Sequence, residues 1–209
     1  RPNMNTSAQV SNDEFIELAK RCGNFDDKTI DYMNQVLQNS GIGNETYVPR
    51  SVWRQSITLE HGREEASMTI FGAVDKLLAE TKISPKDIRV LVVNCGVLNP
   101  TPSLSSMVIN HYKMSHDIQS FNIGGMGSAG GVVALDLAND AIASRGCSYA
   151  LVVNHEAVTH TWHHGNDFEM VRSNCLLRMG ASAVLLSNHR TNRWRSKYKL
   201  KQLRRTHDG

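Results

Sequence analysis

Residues 118–144 read IQSFNIGGMGSAGGVVALDLANDAIAS. A short apolar run, Ile118 to Ile123, ends in a cluster of glycines at 124, 125, 127, 130 and 131. Val132, Val133, Leu135, Leu137, Ala138 and Ile142 follow at helical spacing. The pattern predicts strand, glycine turn and helix, with Ser128 at the mouth of the helix. Helix N-termini carry unpaired N–H groups and the positive end of the macrodipole, so they stabilise anions and developing negative charge.

Outward from this stretch, the chain reads as an α/β protein. Upstream, IRVLVVNC at 88–95 is a β-branched run suited to a buried parallel strand. Downstream, YALVVN at 149–154 is a second such strand, and ASAVLLS at 181–187 a third. Helices are predicted over 14–21 (capped by Asp13), 27–39, 61–81 and 103–113. The longest of these has an apolar stripe of Ala66, Ile70, Ala73, Val74, Leu77 and Leu78, with Glu64 and Glu65 placed as first-turn charges. GNETYVPRSVWRQ at 43–55 reads as an exposed linker, and 196–206 as a basic final strand. Alternating strands and helices imply right-handed crossovers and a parallel-rich sheet.

The chain has 209 residues, 40% apolar and 21% charged, with a net charge of +3. That composition suits a globular core and is too weakly basic to imply nucleic-acid binding. Cys22, Cys95, Cys147 and Cys175 lack zinc-site spacing and read as free thiols. No apolar run approaches the roughly 20 residues of a membrane span.

Three chemistries compete for the glycine stretch. Gly125, Gly127 and Gly130 satisfy GxGxxG for dinucleotide binding, and Glu156 lies near the place where a ribose-binding acid belongs. Ser120 and Asn122 make the preceding strand a poor match. A serine-hydrolase elbow needs glycine two residues before Ser128, where Met126 stands. The third chemistry is acyl transfer through a covalent thioester. A cysteine at this place would ionise readily. The residue is serine, a far weaker nucleophile without an adjacent base.

The wider sequence resembles the plant 3-ketoacyl-CoA synthases, the condensing enzymes of very-long-chain fatty acid elongation. The resemblance rests on SGIGNETYVP (40–49), REEASMTIFGAVDKL (63–77) and SPKDIRVLVVNCGVLNPTPSLSSMVINHYKM (84–114). It continues through SFNIGGMGSAGGVVALDLAND (120–140), YALVVNHE (149–156), NCLLRMGASAVLLSN (174–188) and RWRSKYKLKQLRRTH (193–207). It implies a thiolase-like fold of two similar α/β halves, of which this chain corresponds to the first. Residues 1–50 are then an N-terminal helical segment and linker, and 51–209 the thiolase-like half.

The resemblance also implies an acyltransferase that takes long-chain acyl-CoA and malonyl-CoA as substrates, with no further cofactor. It implies a homodimer or elongase partners, an endoplasmic reticulum membrane location and no nucleic-acid partner. The family carries its nucleophilic cysteine immediately after GGMG, where Ser128 stands; an alternative alignment deletes the cysteine and adds a glycine. The thiol is absent either way. The family's catalytic His and Asn belong to the second half, and its two N-terminal membrane helices have no counterpart here. This chain is therefore expected to be catalytically impaired, or to be a non-catalytic remnant that associates with an intact synthase.

Other clusters read as structural. His155, His160, His163 and His164 miss the HExxH spacing by one residue and are expected to be surface histidines. The acid-free basic run from Arg190 to Arg205 is expected to be a solvated face. Asn94, Asn99 and Pro100 follow a strand, where parallel sheets place ligands, and read equally as turn residues.

Overall fold

The computed structural model describes residues 9–146 and 148–206. Cys147 lies outside them. In chain order the elements are β1 (Gln9–Val10), α1 (Asn12–Cys22), α2 (Asp27–Asn39), β2 (Thr46–Tyr47), α3 (Leu59–Thr81), β3 (Ile88–Asn94) and α4 (Leu104–Tyr112). Then come β4 (Gln119–Ile123), α5 (Gly130–Ala143), β5 (Tyr149–His155), α6 (Val158–Thr161), α7 (Phe168–Leu176) and β6 (Ala181–Ser187). They fall into two compact units. Among the described residues, one takes those up to Thr69 together with Ala157–Gly180, and the other takes Ile70–Glu156 and those from Ala181 onward.

The second unit holds a four-stranded sheet in the order β4-β3-β5-β6. β3 runs parallel to both β4 and β5, and β6 runs antiparallel to β5. Strand β3 is paired on both edges, and its successive residues are buried, so both of its faces are covered, which explains its unbroken β-branched run. Ile88, Val90, Leu91 and Val92 have no exposed surface. Helix α5 lays Ala134, Ala138 and Ile142 against Val90, Val92, Ala150 and Val152. Two alanines on that face let the helix backbone approach the sheet closely. β4 is an edge strand, largely exposed, which accounts for the polar Ser120 and Asn122 in its run. Asn122 clips the edge to α4: its Oδ1 accepts from Ser105 N at 3.1 Å, and its Nδ2 donates to Ser105 Oγ at 2.7 Å.

The first unit is helical. Phe15, Met33, Leu37, Val48, Val52, Val171 and Cys175 form its core, with Trp53 and Trp162 edge-on to one another at 5.0 Å. α1 is capped by Ser11, whose side chain accepts from Glu14 N, and not by Asp13, which lies inside the first turn. The 43–55 stretch is no exposed linker. It supplies β2 and a 3-10 turn, Arg50–Trp53, and it buries Val48 and Val52 completely. Glu65 also departs from the sequence reading. α3 starts at Leu59, so Glu65 lies in its second turn, buried, and its carboxylate accepts from Val158 N at 2.9 Å and Thr159 N at 2.8 Å. It caps the short helix α6, whose first N–H groups have no partner within the helix.

No strand forms at 196–206. The chain leaves β6 through a 3-10 turn, Arg190–Trp194, and runs on irregularly with its basic side chains exposed. A strand needs a ladder partner, and none engages it among the described residues. Among the described residues no helix is long and apolar enough to cross a membrane.

Candidate functional site

The C-terminal ends of β3, β4 and β5 converge on the glycine turn. Their registers place Asn94 beside Ile123 on one side and Asn154 on the other. The chain leaves β4 at Ile123 and turns through Gly125 (φ +73°) and Gly127 (φ +53°), left-handed conformations that cost an L side chain energy. A 3-10 turn, Gly127–Ala129, then runs straight into α5. Ser128 lies on that turn, one residue before Ala129, the N-cap of α5. It is exposed, and its carbonyl accepts from Gly130 N. The predicted place at the start of a helical segment is thus found, with one 3-10 turn interposed. The positive potential of the helix start reaches this first turn.

The remaining glycines are explained by close approach. A Cβ on Gly130 would lie 2.1 Å from Asn94 Oδ1, and one on Gly131 3.0 Å from Asn154 Oδ1. A Cβ on Gly124 would lie 2.6 Å from both the oxygen and the nitrogen of the Asn99 side chain. Asn94 and Asn99 therefore act as the packing bed of the turn, which the sequence left open between lining and turn roles. Asn94 is 4% exposed, and its Oδ1 has no hydrogen-bond partner among the described residues.

A second loop, Cys95–Val97, braces the same turn. Cys95 N donates to Ile123 O at 3.0 Å, and Gly125 N donates to Gly96 O at 3.1 Å. This loop is held in turn by Glu156. The Glu156 carboxylate accepts from Gly96 N at 3.0 Å, from Val97 N at 2.9 Å and from the Cys95 thiol at 3.6 Å. Glu156 is thus a clamp on the loop and is not turned toward a ribose, against the dinucleotide reading of Gly125, Gly127 and Gly130. Two acceptor oxygens facing successive backbone N–H groups is a pattern that sequence spacing does not reveal.

Ser128 has no base. Among the described residues no histidine or carboxylate hydrogen-bonds its hydroxyl, so a serine-hydrolase mechanism has no proton acceptor here. Of the four clustered histidines expected on the surface, His155 is buried and His160, His163 and His164 are half-buried and built into the structure. His155 is buried on β5. His164 Nε2 pairs with Val52 O at 2.9 Å, and the His163 backbone is held on both sides by the Asn174 amide. The His160 ring lies where a Cβ on Gly62 would be. No metal-binding group of His, Cys, Asp or Glu forms among the described residues. Among the described residues Cys22, Cys95 and Cys175 form no disulfide. Burial pushes the Cys175 thiol up to about 11, partly offset by the Arg178 charge.

Solved structures share this architecture. The 1,3,6,8-tetrahydroxynaphthalene synthase of Streptomyces coelicolor A3(2), a bacterial type III polyketide synthase, superposes with a TM-score of 0.71 at 19% identity, over 86% of this chain and 53% of that one. PKS-I from the brown alga Ectocarpus siliculosus gives 0.70 at 19% identity, over 87% and 53%. The fold is thiolase-like, an α/β arrangement with a mixed, parallel-rich sheet and flanking helices. The FAE1/Type III polyketide synthase-like protein family matches residues 2–209, and the chain belongs to it. Its relatives in Arabidopsis thaliana include 3-ketoacyl-CoA synthase 17, 47% identical over 98% of this chain and 42% of the relative. 3-Ketoacyl-CoA synthase 11 is 45% identical over 93% of this chain and 39% of the relative. The chain spans about two-fifths of the length of the curated relatives it matches.

Proposed function

We propose that this chain carries the acyl-accepting turn of a 3-ketoacyl-CoA synthase, with Ser128 in the place of the nucleophile. The observation that carries the reading is the position of Ser128. It is exposed on the first helical turn after a parallel strand, on a backbone whose left-handed residues Gly125 and Gly127 favour glycine, in a chain of this family. A nucleophile there attacks the thioester carbonyl of a long-chain acyl-CoA. The bond from the acyl carbon to the CoA sulfur breaks, CoA leaves as the thiol, and the acyl group is held on the protein. Malonyl-CoA then loses carbon dioxide, and its carbanion attacks the bound acyl group to give a 3-ketoacyl-CoA two carbons longer. Histidine and asparagine donors, which the resemblance places outside the span of this chain, stabilise the enolate and the oxyanion.

Serine at 128, whose hydroxyl no histidine or carboxylate hydrogen-bonds among the described residues, makes this chain a poor acyl acceptor, so the reading includes impaired turnover by the chain itself. A role in a homodimer or beside an intact synthase at the endoplasmic reticulum membrane is consistent with it. The test is a condensation assay with long-chain acyl-CoA and labelled malonyl-CoA. No labelled 3-ketoacyl product is expected from the chain alone. Product at a rate proportional to the chain's concentration would overturn the impairment.

A further inference from the structure

We propose that Glu156 is a positioning residue for acyl acceptance at position 128, acting through Gly96 and Gly127. This builds on the reading of Ser128 as the acyl acceptor and adds to it the group that fixes the acceptor in place.

Glu156 is the residue after β5, and β5 runs beside β3 up to the pairing of Asn154 with Asn94. Its carboxylate therefore faces the loop in which β3 ends. There Oε2 accepts from Gly96 N at 3.0 Å, and Oε1 accepts from Val97 N at 2.9 Å and from the Cys95 thiol at 3.6 Å. All three of these partners are donors. An ionised carboxylate offers only acceptors and meets all three, whereas an amide must turn its own N–H₂ toward one of them.

The far side of Gly96 links this clamp to the acceptor. A Cβ on Gly96 would lie 2.5 Å from Glu156 Oε2 and 3.2 Å from both Cα and N of Gly127. The Gly96 backbone thus fills the gap between the carboxylate and the residue that directly precedes Ser128. Gly96 O also accepts from Gly125 N at 3.1 Å and from Asn99 Nδ2 at 3.4 Å. One peptide segment therefore holds both left-handed residues of the turn, Gly125 by a hydrogen bond and Gly127 by packing. On their other side there is space: a Cβ on Gly125 or Gly127 would meet nothing within 4 Å. Glycines are the most freely rotating residues of a chain, so this turn takes its rigidity from the loop behind it, and the loop takes its own from Glu156.

The consequence falls on rate. Attack on a carbonyl needs a fixed approach, and a misplacement of about 1 Å costs about a hundredfold. Release of Gly96 frees Gly125 and Gly127 to carry position 128 out of line.

The test uses the full chain carrying Ser128→Cys, alone and combined with Glu156→Gln or Glu156→Ala. Peptide mass spectrometry reads two rates at position 128. One is acyl transfer from a long-chain acyl-CoA. The other is alkylation by iodoacetamide, which requires no aligned carbonyl. Loss of the clamp should slow acyl transfer by about ten- to a hundredfold and leave alkylation close to its original rate. In Glu156→Ala, formate or acetate should restore part of the acyl transfer by accepting from the same N–H groups, and chloride at equal ionic strength should not. Acyl transfer at full rate in both Glu156 variants would overturn the inference. So would parallel losses in the two rates, the mark of a merely structural role. No acyl transfer in Ser128→Cys with Glu156 in place would instead overturn the reading of Ser128, and this inference with it. If the Glu156 variants fail to fold by circular dichroism, Gly96→Ala presses on Gly127 from the same side and should slow acyl transfer alone; a full rate there would overturn the inference.

Discussion

Gly130→Ala probes the packing beneath the glycine turn most sharply. Position 130 has φ −58°, so alanine meets no backbone strain, and in a helix it would ordinarily gain up to about 1 kcal/mol over glycine. Here the added Cβ falls 2.1 Å from Asn94 Oδ1, a distance that a buried, short side chain at a strand end relieves only by moving β3 or α5. Such overpacking costs about 1–3 kcal/mol. The expected net is a loss of up to about 2 kcal/mol, or a fall in Tm of up to roughly 8 °C for a chain of this size. The cause is pinned by a second substitution. Asn94→Ala removes the obstructing amide, whose Oδ1 has no hydrogen-bond partner among the described residues. In that background Gly130→Ala should become neutral or stabilising. Calorimetric melting of the two single variants and the double variant measures the coupling. An equal loss in both backgrounds would refute the account of why glycine stands at 130.

Other expectations concern the braces of the turn and the thiols. Glu156→Gln leaves one of two adjacent N–H groups facing an amide N–H₂. Amide hydrogen exchange at Gly96, Val97 and Gly125 should speed up, with a loss of about 1.5–3 kcal/mol locally, while protection in the helical unit stays unchanged. Gly127→Ala, at φ +53° with open space around it, should cost about 1–2 kcal/mol by strain alone and should not respond to Asn94→Ala. Glu65→Ala leaves the N–H groups of Val158 and Thr159 buried without a partner and should destabilise the helical unit by about 1–3 kcal/mol, read in a urea titration followed by the emission of Trp53 and Trp162. Alkylation at pH 8 with peptide mapping should label Cys22 well before Cys175, whose pKa of about 11 leaves little thiolate; labelling in the opposite order would count against the burial of Cys175.

The parts legible in the sequence were those where one local signal decides. IRVLVVNC gave a central strand because burial on both faces removes alternation. The stripe of α3 and the bounds of α2 followed from helical spacing, and the turn before Ser128 followed from its glycines. What was missed depends on partners distant in sequence. Val48 and Val52 are separated by polar residues, so nothing local marks that they enter the helical core. Ser120 and Asn122 weakened a strand that is real, because an edge strand tolerates them and Asn122 has its own partner at Ser105. The basic run alternates well enough to suggest a strand, but alternation supplies no neighbour, and none pairs with it among the described residues. The Glu156 clamp spans about sixty residues and shows no motif.

The central claim is that position 128 is the acyl-accepting point of the fold. Its most direct test is intact-protein and peptide mass spectrometry after incubating the wild-type chain and its Ser128→Cys variant with a long-chain acyl-CoA. The account predicts an acyl adduct at position 128 in the variant, labile to hydroxylamine as a thioester should be, and none at Ser128 in the wild type. Acylation of the variant only at Cys22 or the other native thiols, with position 128 unmodified, would contradict it.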